Sequence, residues 1–341
     1  MKTNFFPQDH IQQLIVSALT SHNTSLENAR HVADALVAAE IDGLGGHGLS
    51  RVPSYVLHAS QGKVDGRATP EASQVSNAAV VVDAKSGFAY PALALAVEKL
   101  VEITPQNGIA VASVTNSHHC GAAGYHVEKL ADAGLIGLMF ANSPKAIAPW
   151  GGQQGVFGTN PIAFAAPREK KPPLVIDLAL SKVARGKIMV ANRENTPIPE
   201  GWALDSEGKP TTDARAALSG TMLPMGDAKG AALVLMVEIL AAALTSSNFG
   251  YEASSFFDAE GDPPGVGQLL MAITPDPLSG GSFQSRLESL CDEILNQQNT
   301  RLPGDRRIVL REKAAQDGIA LSQAQYDQLK DLSGTDHVFR Q

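Results

Sequence analysis

The stretch GLGGHGLSR, residues 43–51, sets His47 among four glycines and places Arg51 four positions further on. An imidazole exchanges a proton near neutral pH, and a guanidinium grips a carboxylate through two parallel hydrogen bonds. If a helix restarts after Gly48, the two side chains share a face, and together they suit a 2-oxo, 2-hydroxy or 2-imino acid. An exposed surface pair with no ligand is the alternative that the local sequence leaves open.

Three further groups could bind anions. Gly121-Ala122-Ala123-Gly124 follows a β-type run and opens a helical one, so free backbone amides there could hold a phosphate, with His118 or His119 beside them. The same glycines would also serve a tight strand-to-helix corner without any ligand. A G-x-G-x-x-G turn leading out of a strand, the usual mark of a dinucleotide site, is absent. Lys229, in MGDAKGAAL, stands near the start of an apolar helix, where the dipole disfavours a cation. A bound anion would resolve that conflict, as would pairing with Asp227 or an extended path to solvent. Arg306 and Arg307 flank a glycine turn in LPGDRR and read equally as a solvated face. HHC, residues 118–120, does not predict a metal, because adjacent side chains diverge and no second ligand cluster follows.

The whole chain narrows the partners. A net charge of −8 with no sustained basic run argues against nucleic acid. Two cysteines, Cys120 and Cys291, are too few for a disulfide framework and predict a reduced, cytoplasmic setting. MKTNFFPQDHIQQ lacks the apolar core of a secretory leader. The most apolar run, from Gly230, is short for a bilayer span and carries Glu238, so it predicts a buried helix and no membrane partner.

The elements that must position these residues follow from periodicity. Residues 8–41 predict two helices, the second opened by Thr24 and Glu27 at capping-box spacing and carrying Val32, Leu36 and Ala39 on one face. Residues 78–84 and 108–117 predict strands, as do LIGLMFANSP, PLVIDLALS and GQLLMAITP, and residues 90–103 a helix with Pro91 in its first turn. The polar run TPIPEGWALDSEGKPTTD predicts a lid or an interface arm. Ser282 is expected to cap a helix carrying Phe283, Leu287, Leu290 and Ile294, and Ser322 with Gln325 to open another. Helices at both ends of a strand-rich middle predict that the termini share one helical layer.

Taken in order, HGLSRVPSY, SHHCGAAGYHVEKLADAGLIGLMFANSP, GTNPIAFAAP, VIDLALSKVARGKI, GWALDSEGKPTTD, GDAKGAALVLMVEILAAAL and LPGDRR resemble the malate/L-lactate dehydrogenase family that lacks a Rossmann fold. The likeness runs from about residue 40 to about residue 310. Within the family, DLALSKVARGKIMVA, GDAKGAAL and NFGYEASSFFDAEG look most similar to the Δ1-piperideine-2-carboxylate/Δ1-pyrroline-2-carboxylate reductases.

This resemblance implies an α/β fold with a mixed, largely antiparallel central sheet. It places a helical domain over residues 1–75 with 282–341, and an NAD(P)-binding sheet domain over 76–281. It implies reduction of a cyclic imino acid to L-pipecolate or L-proline with NADPH, NADH being the alternative, and a homodimer as the assembled form. By match of motif, His47 is the proton donor, Arg51 the carboxylate ligand and Thr159 a second substrate contact. The cofactor would run along His119, Cys120, Gly121, Ala122 and Ala123, then Asn142, Asp177, Leu178 and Ala179, Arg185, Ala228 with Lys229, and Gly304, Asp305 and Arg306. An open-chain 2-hydroxy acid dehydrogenase uses the same grip and the same histidine. The family usually has Ser-His-Gly where this chain has Gly46-His47-Gly48, so the serine that would polarise the histidine is missing. That departure motivates a third reading, a nucleotide-binding protein with little catalysis.

Overall fold

Ala110, Ala112 and Val114 fall on one side of a strand spanning Ile109–Ser117, the alternation that a strand with one face on the core requires. A computed structural model describes residues 3–334. Its strands are β1 (Thr3–Phe6), β2 (Glu71–Ser76), β3 (Ala79–Asp83), β4 (Ile109–Ser117), β5 (Ile136–Ala141), β6 (Ile162–Ala166), β7 (Leu174–Leu178), the short β8 (Ala203–Leu204), β9 (Pro210–Thr211) and β10 (Thr221–Met222), then β11 (Val266–Ile273) and β12 (Ile319–Ser322). The helices are α1 (Gln8–Thr20), α2 (Leu26–Ile41), α3 (Val52–Gln61), α4 (Ala89–Asn107), α5 (Ala123–Asp132), α6 (Arg185–Arg193), α7 (Ala214–Ser219), α8 (Asp227–Glu238), α9 (Pro275–Ser279), α10 (Phe283–Leu295), α11 (Asp305–Asp317) and α12 (Gln323–Ser333).

The central sheet has the order β2-β3-β4-β11-β5-β6-β7. Every neighbouring pair is antiparallel except β3 with β4. The fold is therefore mixed α/β with a largely antiparallel sheet and no Rossmann order. β11 lies in the middle and is covered on both faces: Leu270 and Ala272 join the core under α4 and α5, while Leu269 and Met271 face a second core built with α6 and α8. A third core is formed by α1, α2, α3 and α12, and β1 pairs antiparallel with β12, so the two ends of the chain share one layer. The sheet itself begins at Glu71, ahead of residue 76.

Two polar junctions hold these layers in register. Asp42, after α2, and Glu128, on α5, both take hydrogen bonds from Arg311 of α11, at 2.6–2.8 Å, with Arg307 at 3.7 and 3.8 Å from the same two carboxylates. Inside the sheet domain, Glu238 accepts from Asn142 Nδ2, Asn160 Nδ2 and the Gly250 amide.

Several local expectations need correction. The cap of α2 is Ser25, whose hydroxyl accepts from the Asn28 amide; Thr24 is buried and bonds the His22 carbonyl. Ser282 makes no side-chain cap, its hydroxyl donating instead to the Ser279 carbonyl. Ser322 and Gln325 do form the reciprocal capping box of α12. The apolar run from Gly230 is not wholly buried: Leu235, Met236 and Ile239 lie on an exposed ridge, and after Glu238 the helix widens into a π-turn over Ile239–Ala243. Gly267 lets β11 pass that turn, because a Cβ there would lie 2.1 Å from the Ala241 carbonyl oxygen. The polar excursion folds into a miniature sheet, β10-β8-β9, followed in chain order by α7 between β9 and β10. Among the described residues no helix is long and apolar enough to cross a membrane.

All three groups that face Glu238 are donors, so Glu238→Gln would turn an amide N–H against a donor in a buried site. The substitution is expected to lower unfolding stability by about 2–4 kcal/mol, measured by urea denaturation. A loss below half a kcal/mol would show that the network carries little.

Candidate active site

His47 and Arg51 do not share a helical face. After Gly43 turns the chain out of α2, His47 sits in a turn, a single 3-10 turn covers Leu49–Arg51, and α3 starts at Val52. Glu40 fixes this passage by accepting from the Leu49 amide at 2.9 Å. Gly48 is required there, because a Cβ would lie 2.2 Å from Glu40 Oε2 and 3.0 Å from the Glu40 backbone. Arg51 folds back so that its Nε donates to the Gly46 carbonyl at 2.8 Å, and its guanidinium lies 5.1 Å from the centre of the Phe257 ring.

The adjacent His118 and His119 have different tasks. His58 Nε2 lies 2.7 Å from the Asp258 carbonyl, a pure acceptor, so it carries a proton; His58 Nδ1 then accepts from His118 Nε2 at 3.1 Å. His118 Nδ1 is left as a buried unpaired nitrogen. His119 faces the other way: its ring stacks on His47 at 5.5 Å, and its Nδ1 lies 2.6 Å from the Tyr55 hydroxyl.

The loop that roofs this group went unassigned in the sequence reading. Lys63, with no exposed side-chain surface, donates to the carbonyls of Asp258 and Glu260 at 2.9 and 2.6 Å and to the Asp258 carboxylate at 3.3 Å. That clamp lays Phe256 against His118 and His119, at 5.4 and 5.1 Å between ring centres, and Phe257 against two cations. The second cation is Arg185, its guanidinium 5.7 Å from the same ring. Among the described residues Arg185 makes only a long hydrogen bond, 3.4 Å, to the Leu218 carbonyl and has no acidic partner, and burial lowers its pKa. The structure thus sets it against the same ring as Arg51. The only sequence signal for the clamp was a lone lysine directly after a glycine, and for the roof a pair of phenylalanines in SSFFD.

A cavity of about 480 Å³ opens next to this group. Its walls include Ala122, Gly124, Asp177, Gly304 and Arg306 from the expected cofactor set, together with Arg301 and Asp42. Asp177 accepts from the Gly124 amide at 2.8 Å, which ties β7 to the first turn of α5. α5 and α11 both begin here, at Ala122 and at Gly304, without a cap from the N-terminal residue itself; the Gly124 amide is taken by Asp177, and the Asp305 and Arg307 amides by the Leu302 and Gly304 carbonyls. Arg301 and Arg306 on the same wall supply the positive charge that the phosphates of a dinucleotide require. His119 and Cys120 lead the chain from this cavity back to His47.

The remaining expected residues stand apart. Leu180 donates its amide to the Thr159 carbonyl and accepts from the Met225 amide, both at 2.8 Å, which lays Thr159, the Leu178–Ala179 segment and the approach to Ala228 and Lys229 side by side. Ala228 and Lys229 are exposed, and the Thr159 hydroxyl has no partner within the chain. Asn142 donates both its amide hydrogens to Glu238 and the Asn248 carbonyl, and its oxygen accepts from the Gly267 amide. Asp305 turns inward to the Leu302 amide.

The electrostatics are uniform. Burial, reinforced by the Arg51 charge, lowers the His47 pKa to about 4 and holds His119 well below 6.5. His118 and His58 are lowered chiefly by burial, and His126 is brought to about 4 by the same cause. Burial raises the Cys120 thiol to about 12, so it is a neutral wall. His47 Nδ1 is buried without a partner, which adds to the cost of protonating both ring nitrogens.

The malate/L-lactate dehydrogenase family model matches residues 6–330. The chain belongs to this family. Similar relatives include the (2R)-3-sulfolactate dehydrogenase (NADP(+)) of Chromohalobacter salexigens, 48% identical over 94% of this chain and 95% of that one. The Δ1-pyrroline-2-carboxylate/Δ1-piperideine-2-carboxylate reductase of Pseudomonas putida is 42% identical over 96% of each. Among solved structures, the Δ1-piperideine-2-carboxylate reductase of Pseudomonas syringae superposes with a TM-score of 0.92 at 39% identity, covering 96% of this chain and 99% of that one. As a family member the protein is an NAD(P)H-dependent oxidoreductase acting on a small molecule.

Two expectations follow. Every lowered histidine resists protonation when folded and accepts it near pH 6.5 when unfolded. Stability is then full above that value and declines as pH falls towards 4, by about 1.4 kcal/mol per pH unit for each titrating histidine. Thermal melting between pH 7.5 and 5 checks this, and a melting temperature that rises on acidification overturns it. At Gly46 a Cβ meets nothing within 4 Å, so Gly46→Ser should fold normally. A serine oxygen accepting from His47 Nδ1 stabilises the imidazolium, and the His47 pKa is expected to rise by about one unit, read by NMR titration.

Proposed function

We propose that the protein is an NADP(H)-dependent oxidoreductase that interconverts a 2-hydroxy acid carrying a second anionic group, of the 3-sulfolactate kind, with its 2-oxo acid. The observation that carries this reading is the convergence of Arg51 and Arg185 on one ring, Phe257, at 5.1 and 5.7 Å from its centre. Arg51 grips the carboxylate. Arg185, partly dehydrated and without an acidic partner, is stabilised by a second anion. A three-carbon acid with a sulfonate or carboxylate at its far end can reach both cations, whereas a cyclic imine with one carboxylate reaches one. The name of the Chromohalobacter relative, with both its substrate and NADP(+), agrees with this choice.

Gly121 to Ala123, Asp177 and Gly304 to Arg306 would hold the cofactor, with Arg301 and Arg306 offering charge to the 2′-phosphate that separates NADPH from NADH. When bound, its nicotinamide supplies or takes the hydride at C2 of the acid. The protein's part is to align the acid on Arg51 and to move a proton at His47 Nε2. In the free site His47 is neutral. A carboxylate on Arg51 offsets the guanidinium charge and raises the His47 pKa, so the proton is held only once the acid is in place. The exposed ridge of Leu235, Met236 and Ile239 suits the homodimer expected from the family.

Reduction of Δ1-piperideine-2-carboxylate or Δ1-pyrroline-2-carboxylate is the second reading. It is favoured by relatives at 40–42% identity over nearly the whole chain and needs only Arg51 and His47. Initial rates with sulfopyruvate, oxaloacetate, pyruvate and both cyclic imines, each with NADPH and NADH, separate the two. The dianions are expected to lead. Arg185→Leu should raise their KM by about 10–100-fold while leaving pyruvate nearly unchanged. Fast imine turnover indifferent to Arg185 transfers the assignment to the second reading. Cofactor binding without turnover of any acid points to Gly46 as a catalytic lesion.

A further inference from the structure

The hydroxyls of Tyr90 and Tyr55 lie 3.0 Å apart, and that of Tyr55 lies 2.6 Å from His119 Nδ1. All three residues are buried, and among the described residues neither hydroxyl has another partner. The two protons in this chain of three groups can run in either direction. If His119 Nδ1–H donated to Tyr55 and Tyr55 to Tyr90, the Tyr90 O–H would be a buried donor with nothing to receive it. If Tyr90 donates to Tyr55 and Tyr55 to His119, the leftover is an unused lone pair on Tyr90, which costs far less. The second direction is the favoured one. It leaves His119 Nδ1 as an acceptor and puts the ring's proton on Nε2, a nitrogen that has no partner in the chain and is not fully enclosed.

We propose that Tyr55, with Tyr90 behind it, is a positioning residue that locks His119 as the Nε2–H tautomer and so gives the acid held between His47 and Arg51 an uncharged hydrogen-bond donor. The role rests on the reading of His47 and Arg51 as the acid site. His119 stacks nearly parallel to His47, 17° between planes, so the donor stands beside the group that moves the proton. The donor is uncharged near neutral pH, because burial, reinforced by Arg51 and the surrounding histidines, holds the His119 pKa well below 6.5. A fixed neutral donor needs no reorientation as charge develops on the C2 oxygen. Tyr55 itself touches no reacting atom.

Two-bond 1H–15N correlation spectra of histidine-labelled full-length protein, with the His119 signals assigned through His119→Gln, read the tautomer without any substrate. The expected wild-type pattern is a protonated Nε2 and an unprotonated Nδ1. Tyr55→Phe should convert it to a mixture and lower kcat on the best acid by about tenfold, with KM for the cofactor changed less than threefold. Tyr90→Phe should leave the tautomer intact, since Tyr55 still has its proton to give. A protonated Nδ1 in the wild type overturns the proposal whatever the substrate proves to be, and even if neither tyrosine variant folds. So do His119 shifts unchanged in a folded Tyr55→Phe protein, or a Tyr90→Phe spectrum as disturbed as that of Tyr55→Phe. A locked tautomer with no loss of kcat in Tyr55→Phe would overturn the catalytic part of the role while leaving the acid site untouched.

Discussion

The cluster of Asp42, Glu128, Arg307 and Arg311 is the constraint on which the rest depends. It joins three pieces of chain that are remote in sequence: the end of the second helix, the helix that follows the His118–His119 pair, and the first turns of the helix after Gly304. Each carboxylate is largely enclosed, so each needs its guanidinium, and a half-made cluster is worse than none. One residue beyond Asp42 the chain enters the loop that carries His47. Three residues before Arg307 lies the glycine that opens the cofactor cavity. One electrostatic junction thus sets the distance between the proton-moving group and the wall that faces the cofactor.

Around that junction the site is built from neutral polar groups that enclosure keeps neutral. Histidines that would hover near half-protonation in water are uncharged here, and their ring nitrogens are assigned by what they face. His118 is turned to the main chain of the roof loop through His58, and His119 towards tyrosine. Positive charge is then left to Arg51 and Arg185, with Lys63 behind the roof loop. An acid entering this site meets a field of one sign, with few mobile protons to blur it.

Much of this was legible in the chain itself. The central strands, the helix with Pro91 in its first turn, the closing capping box and the joining of both ends came from periodicity and spacing, because those patterns are read locally. The family resemblance implied the mixed sheet, which spacing alone did not. What escaped were features whose cause lies far away in sequence. Ser25 outcompetes Thr24 as a cap because Thr24 is drawn into the core. The two-residue strands after Gly201 have no periodicity to detect. Arg185 is 72 residues from the ring it contacts, and only the folded chain brings Phe257 to it. A lysine after a glycine is all that marks Lys63, since its three acceptors sit on a loop nearly 200 positions later.

That loop is held in an unusual way. Lys63 and His58 grip it mainly by the carbonyl oxygens of Asp258 and Glu260, atoms that every amino acid supplies. Phe256 and Phe257, the side chains that meet the ligand site, take no part in the anchorage. Mutations at these two positions can therefore alter which acid is accepted without loosening the segment that bears them. Such a separation leaves natural variation two positions at which the ligand site can change while its support stays fixed.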